Sequence, residues 1–242
     1  MPLFKSDFHN HTLLSPCGDL DMTPENIIEE ALKRGIDIIG ITDHNSTKHC
    51  RLAEHYSKNR NIFVLCGAEI TTQEEAHCLA FFPNHEKLDA FQAFIDAHLP
   101  NIPNNPELFG DQVQIDEEMN IIYEEPRLLT SALNASIEDV EKEVHKLDGI
   151  FIPAHIDKQK NSVLSQLGFI PFDLNYEAVE ISKNGNQEQL VKMHPYLKNK
   201  PFVRGSDAHF LNDIGTNTCH LEMETRNFAA IKNSILTHGI KK

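Results

Sequence analysis

Residues 36–42, IDIIGIT, form a nearly continuous apolar run that stops at Asp43, His44 and Asn45. A strand with so few polar residues has to be covered on both faces, which is the habit of sheets wrapped by helices. The same theme returns along the chain. Strands are expected at 2–8, 61–70, 76–82, 149–155, 176–182, 201–209 and 219–224. Helices fall between them. Thr23 reads as an N-cap, Pro24 as the first helical residue and Glu25 as a first-turn acid, with Ile27, Ile28, Ala31 and Leu32 on one face and Gly35 as the stop. Further helices are expected over 46–59 and 87–99, over 137–147 behind a Ser136 cap, and at the C-terminus ending at Gly239. This alternation predicts a parallel, wound α/β architecture.

The stretch around 98–135 breaks the rhythm. Residues 99–110, LPNIPNNPELFG, are rich in Pro and Asn and read as loop. QVQIDEEMNIIY at 112–123 reads as two short strands about a turn. An excursion or lid on a single domain spanning residues 1–242 is therefore expected.

The polar residues sort themselves by strand. His9 with His11, Asp43 with His44, Glu69, His155, and Asp207 with His209 all stand at the C-terminal ends of expected strands, and His77 stands at the start of one. In a β/α barrel those ends converge on one mouth, where active sites form. Residues two apart on a strand face the same way, so His9 and His11 are placed to share a metal ion. Mixed imidazole and carboxylate donors suit Zn, Mn or Fe. Cations for a phosphate group are sought in Arg204, Lys183 and Arg127. The remaining histidines, His49 and His145 among them, read as surface or structural residues.

Composition narrows the field. A formal net charge of −14 argues against long nucleic acid and anionic membranes as partners, because both are repelled at long range. A small phosphorylated substrate remains compatible, since bound cations reverse a local field. Five cysteines, at 17, 50, 66, 78 and 219, suggest no disulfide framework, and the first residues lack an apolar leader. A cytoplasmic setting is expected.

Taken in order, HNHTLLSPCGD, GITDHN, GAEIT, EEAHCLAFF, IPAHID and RGSDAH resemble the successive motifs of the PHP (polymerase and histidinol phosphatase) superfamily of metal-dependent phosphoesterases. The resemblance implies a distorted (β/α)7 barrel with two or three divalent metals, Mn, Fe or Zn, at the C-terminal ends of its strands. It implies that His9, His11, Glu69 and Asp207 hold one metal. Glu69 would bridge to a second, also held by His77 and His155, and His44 and His209 would hold a third. A further ligand follows the first motif in many members; here it is Asp19, with Cys17 as competitor. Asp7 and Asp43 would orient the imidazoles, and Asp207 and His209 would stand nearest the reacting atoms.

The leading expectation is hydrolysis of a small phosphomonoester by metal-activated water. The alternatives are a phosphodiesterase or 3′–5′ exonuclease on short oligonucleotides, and a non-catalytic metal-stabilised module. No serine-hydrolase constellation, P-loop or dinucleotide fingerprint is present.

Overall fold

The structure is a computed structural model that describes residues 1–238, so the expected helix stop at Gly239 lies outside the described residues. The chain begins with β1 (Leu3–Asp7), α1 (Pro24–Lys33), β2 (Ile38–Ile41), α2 (Cys50–Ser57), β3 (Phe63–Thr71), β4 (His77–Phe81) and α3 (His85–His98). The excursion holds α4 (Pro106–Phe109), β5 (Val113–Ile115) and β6 (Ile121–Glu124). Then come α5 (Ile137–Lys146), β7 (Ile150–Pro153), α6 (Val163–Leu167), β8 (Val179–Ile181), α7 (Gln187–Met193), β9 (Phe202–Arg204), β10 (Cys219–Glu222) and α8 (Phe228–His238).

Local chemistry explains the helices. Thr23 accepts from the Asn26 amide and Pro24 opens α1, whose Ile27, Ile28 and Ala31 are buried. Gly35 takes φ of +65° just beyond the helix, where a side chain would be strained. Ser136 and Asp139 form a reciprocal capping box on α5.

The architecture is mixed α/β, and the wholly parallel wound sheet is corrected. A curled six-stranded sheet has the order β10-β1-β2-β3-β4-β7, with β8-β9 a separate parallel pair beside it. Within the six-stranded sheet only β1-β2 and β2-β3 pair in parallel; β4 runs antiparallel to both neighbours, and β10 antiparallel to β1. The reason at β4 is chain length. Residues 72–76 make a tight connection, whereas a parallel return needs a dozen or more residues. Backbone bonds join the neighbouring edges. The Ile156 amide donates to Glu180 O, and the His11 amide to Ala208 O. The described strands thus place the ends of β1, β2, β3, β7 and β9 around one mouth.

Two apolar layers support it. One lies between sheet and helices and includes Ile39, Ile41, Phe91 and Phe151. The other lines the inside of the curl with Phe8, Leu79, Phe81 and Ile152, capped by Ile231 and Ile235 of α8. The expected hairpin is present as the antiparallel pair β5-β6. Val113 and Ile115 pack on Leu13 and Leu52, and Asn45 holds Leu129 O and Ser131 O. All five cysteines are free. No described helix is long and apolar enough to cross a membrane.

Two substitutions test this scaffold. A Cβ on Gly40 would lie 2.2 Å from Phe8 O, between the strands that carry His9 and Asp43. Gly40→Ala is expected to destabilise by about 3 kcal/mol in chemical denaturation. His145 sits between Glu177 and Glu141, at 3.3 and 2.6 Å, and those hydrogen bonds outweigh partial burial and raise its pKa. The contribution is full below the unfolded value near 6.5 and fades as pH rises through the raised folded value. Wild type should lose up to about 1 kcal/mol relative to His145→Gln across that window, measured by urea midpoints at stepped pH.

Candidate metal centre

Glu69, on β3, is 1% exposed and is surrounded by five imidazoles. Its Oε1 lies 2.8 Å from His77 Nδ1, 3.0 Å from His155 Nε2 and 3.3 Å from His9 Nε2. Its Oε2 lies 3.1 Å from His44 Nδ1 and 3.4 Å from His11 Nε2. Asp207 Oδ1 stands 3.4 Å from both His9 Nε2 and His11 Nε2. His209 stacks on His11 with ring centroids 4.4 Å apart.

Neighbouring groups decide which nitrogens face inward. His9 Nδ1 donates to Glu180 at 3.0 Å, which leaves Nε2 as the lone-pair nitrogen. Ser15 Oγ donates to Asp43 and accepts from His11 Nδ1, so His11 also presents Nε2. His209 Nδ1 donates to Asp207 O. The acid orienting His9 is thus Glu180, which sequence reasoning missed because it stands inside β8 rather than at a strand end. Asp7 instead accepts from Ser206 and the Gly215 amide, fixing the loop that carries Asp207. Asp43 acts on His11 only through Ser15.

Backbone geometry also serves the cluster. Ile150, Ile152 and Ala154 face the inner core, so strict alternation would turn His155 away. A φ of +28° at His155 returns the ring to Glu69. Asp207 takes φ of +52°, and strain of this kind collects at functional sites.

The electrostatics are those of anions among imidazoles. Burial alone would raise the Glu69 carboxyl, but the fields of His77, His9 and His44 hold it well below the usual range. Burial opposes ionisation of Asp207 as well, yet His9 and His11 keep it an anion. His9 is desolvated and still drawn well above 6.5 by Glu69, Glu180 and Asp207. His44 is pushed well down by burial, and His209 down to about 4 by burial and by His11.

The donor set fits a divalent metal. Three groups each bring their donor atoms within 4.8 Å of one another: His9, His11, Glu69 and Asp207; His44, Glu69 and His77; and His11, His44 and His209. The Nε2 atoms of His9 and His11 face each other at 3.1 Å, which a proton or a metal ion between them would satisfy. His44 Nδ1 and Glu69 Oε2 are buried without a hydrogen-bond partner. Such orphans in a native interior call for an ion or a proton.

Other expected site residues lie further out. Asp19 is half-buried and its carboxylate accepts the Asp21 amide, outside all three donor groups. Cys17 lines the cavity over the cluster, with its thiol pushed up to about 12 by desolvation and by Glu69. Lys183 lines an adjoining cavity that shares His155 and Asp207 with the first. Arg204 bonds Ser182 O and Asn217 Oδ1 at its edge. Arg127 is held by Glu125 and Asp96 in the excursion. The cation at the cluster is Lys158, whose Nζ pairs with Asp207. It sits three residues beyond His155 in a polar stretch with no periodicity to mark it.

A family model described as the PHP domain matches residues 7–159. The chain belongs to the PHP domain family. That places it among metal-dependent hydrolytic enzymes, in keeping with the donor groups above. This PHP chain is 26% identical over 238 residues to the uncharacterized protein YqxK of Bacillus subtilis, covering 87% of this chain and 54% of that protein. It is 35% identical over 78 residues to the uncharacterized protein MJ1587 of Methanocaldococcus jannaschii, covering 29% of this chain and 46% of that one. The lesion-specific endonuclease EndoQ of Pyrococcus furiosus has a similar fold, with TM-score 0.75, 18% identity, and coverage of 98% of this chain and 57% of that one. Endonuclease Q is also seen with a 27-mer duplex carrying an abasic lesion at the active site (TM-score 0.73). The chain therefore spans about half the length of these relatives.

The likeness corrects one expectation. A small phosphorylated substrate with no long nucleic acid was inferred from the net charge of −14, yet a chain of this fold takes a DNA duplex. Net charge sums over the whole surface. It does not describe the local field at a mouth whose side chains could hold cations.

Glu180→Gln tests the orientation of His9. It should weaken divalent-metal binding about 10- to 100-fold by titration calorimetry, with the fold retained.

Proposed function

We propose that this PHP chain is a divalent-metal-dependent phosphodiesterase acting on nucleic acid. The observation that carries the metal chemistry is Glu69, whose two oxygens face two different sets of imidazoles. Oε1 meets His9, His77 and His155, and Oε2 meets His11 and His44. A carboxylate so divided suits two cations held close together. The likeness in fold to a DNA endonuclease supports a diester over a small monoester.

When bound, a divalent pair would lower the pKa of water toward ~7 and neutralise charge on the phosphoryl oxygens. The chain's own groups do the rest. His9, His11, Glu69 and Asp207 would hold one cation, His77 and His155 with Glu69 a second, and His44 with His209 would flank a third position. Glu180 and the Asp43–Ser15 pair hold the Nδ1 atoms of His9 and His11, so that Nε2 of each ring is turned toward the cluster. Lys158, an ammonium at the open side of the cluster, is placed to hold a non-bridging phosphate oxygen. Asp207 is 17% exposed, so it is the cluster carboxylate within reach of an incoming water. Mn, Fe and Zn all suit the mixed imidazole and carboxylate set.

The test is strand scission. Mn-loaded protein is incubated with single-stranded DNA, with duplex containing an abasic site, and with p-nitrophenyl phosphate. Scission that disappears with EDTA and falls at least about 100-fold in Asp207→Ala is expected. Phosphate release from the monoester alone, with both DNA substrates intact, would overturn the proposal.

A further inference from the structure

We infer that a single-stranded segment of nucleic acid leaves the metal centre along a groove toward α7, its phosphates meeting Lys183 and Arg204 and a base stacking on Phe172. This rests on the nucleic-acid function proposed above and adds the path of the substrate.

Cavity continuity is the first observation. The space over the cluster, about 330 Å³, shares His155, Lys158 and Asp207 with an adjoining space of about 340 Å³. That space shares Asn184 with a groove of about 790 Å³ walled by Arg204, Gln187 and Val191. A small monoester would be accommodated by the first cavity alone. Three in succession match an extended chain.

Charge is the second. Residues 155–204 hold seven Lys and Arg against five Asp and Glu, in a chain whose net charge is −14. Burial sharpens the contrast. Glu177 and Glu180 are buried, and Asp157 is half-buried and accepts from Ser182. The exposed acids are Asp173 and Glu188, whereas all six lysines of the segment are exposed. On the walls of the three spaces the cations come in succession, Lys158 and Lys160 over the cluster, then Lys183, then Arg204, with Asp213 and Glu188 as the acids beside them outside the cluster.

Stacking surface is the third. Phe172 is 85% exposed. It is held rather than loose, with Phe169 stacked at 6.1 Å and Tyr196 edge-on at 5.8 Å. The Tyr196 hydroxyl in turn accepts the Ile170 amide. Tyr196 follows shortly after α7, the helix whose Val191 walls the groove. Phe172 is thus an exposed aromatic near the far end of the helix that walls the groove, and cations along a groove with aromatic faces nearby bind single strands without sequence preference.

The experiment measures binding apart from cleavage. Anisotropy of a labelled phosphorothioate oligothymidylate, which keeps its charge and resists scission, is followed with Mn-loaded wild type, Phe172→Ala and Lys183→Ala across a salt series. Both side chains are exposed, and thermal unfolding checks that the variants fold as wild type does. Phe172→Ala should weaken binding about tenfold. Lys183→Ala should lower the slope of log affinity against log salt by about 0.7. Variants that bind as wild type does, or a wild type that does not bind, would overturn the path. Wild-type scission of single-stranded DNA, run alongside, distinguishes loss of the path from loss of the phosphodiesterase itself.

Discussion

Everything at the mouth depends on a carboxylate placed where water cannot reach it. Burying an ionised Glu costs several kcal/mol unless opposite charges and hydrogen bonds offset it. Around Glu69 that offset comes from five imidazoles on four different strand regions, drawn within 3.4 Å or less. The imidazoles in turn crowd their ring nitrogens toward one another, His9 Nε2 and His11 Nε2 at 3.1 Å. Neither set is comfortable alone, and cations satisfy both.

The scaffold shows how that arrangement is held. Gly205 lies so close to the centre that a Cβ there would sit 2.3 Å from Glu180 Oε1 and 2.4 Å from His9 Cβ. The absence of a side chain lets β8 and β9 press the Glu180 carboxylate onto His9. Positive φ at His155 turns that donor inward against the alternation of its strand, and Asp207, on the same side as inward-facing Val203, also takes a positive φ. The excursion joins in through His49, buried between Thr12 Oγ1 and the Ile115 amide, and through Thr130 in the cavity wall. The segment that looks most like loop in sequence is thereby tied to the site.

Charge has to be read at two scales. The chain is acidic overall, yet part of that charge is consumed in the interior, as at Glu69, Glu177 and Glu180. Its lysines gather along residues 155–204. A whole-chain sum hides this, because a ligand responds to the potential within about a Debye length of its own path.

The sequence alone determined the family, most of the elements and most of the donors. Apolar runs ending in His, Asp or Glu are local patterns, and strand periodicity and helix caps act over a few residues, so IDIIGIT, Thr23–Pro24 and Ser136 are legible without a structure. What needed the tertiary structure was every property set by distant residues. The antiparallel pairing of β10 with β1 joins the two ends of the chain and shows only in the folded sheet. Glu180 and Lys158 have no motif of their own and matter because β8 and the chain after His155 pass beside His9 and Asp207. Likewise Arg127, a free cation in sequence, is neutralised by Glu125 and Asp96 once the excursion folds. Periodicity and capping are short-range; the partners of a charge and the open faces of a surface are decided by contacts across the whole chain.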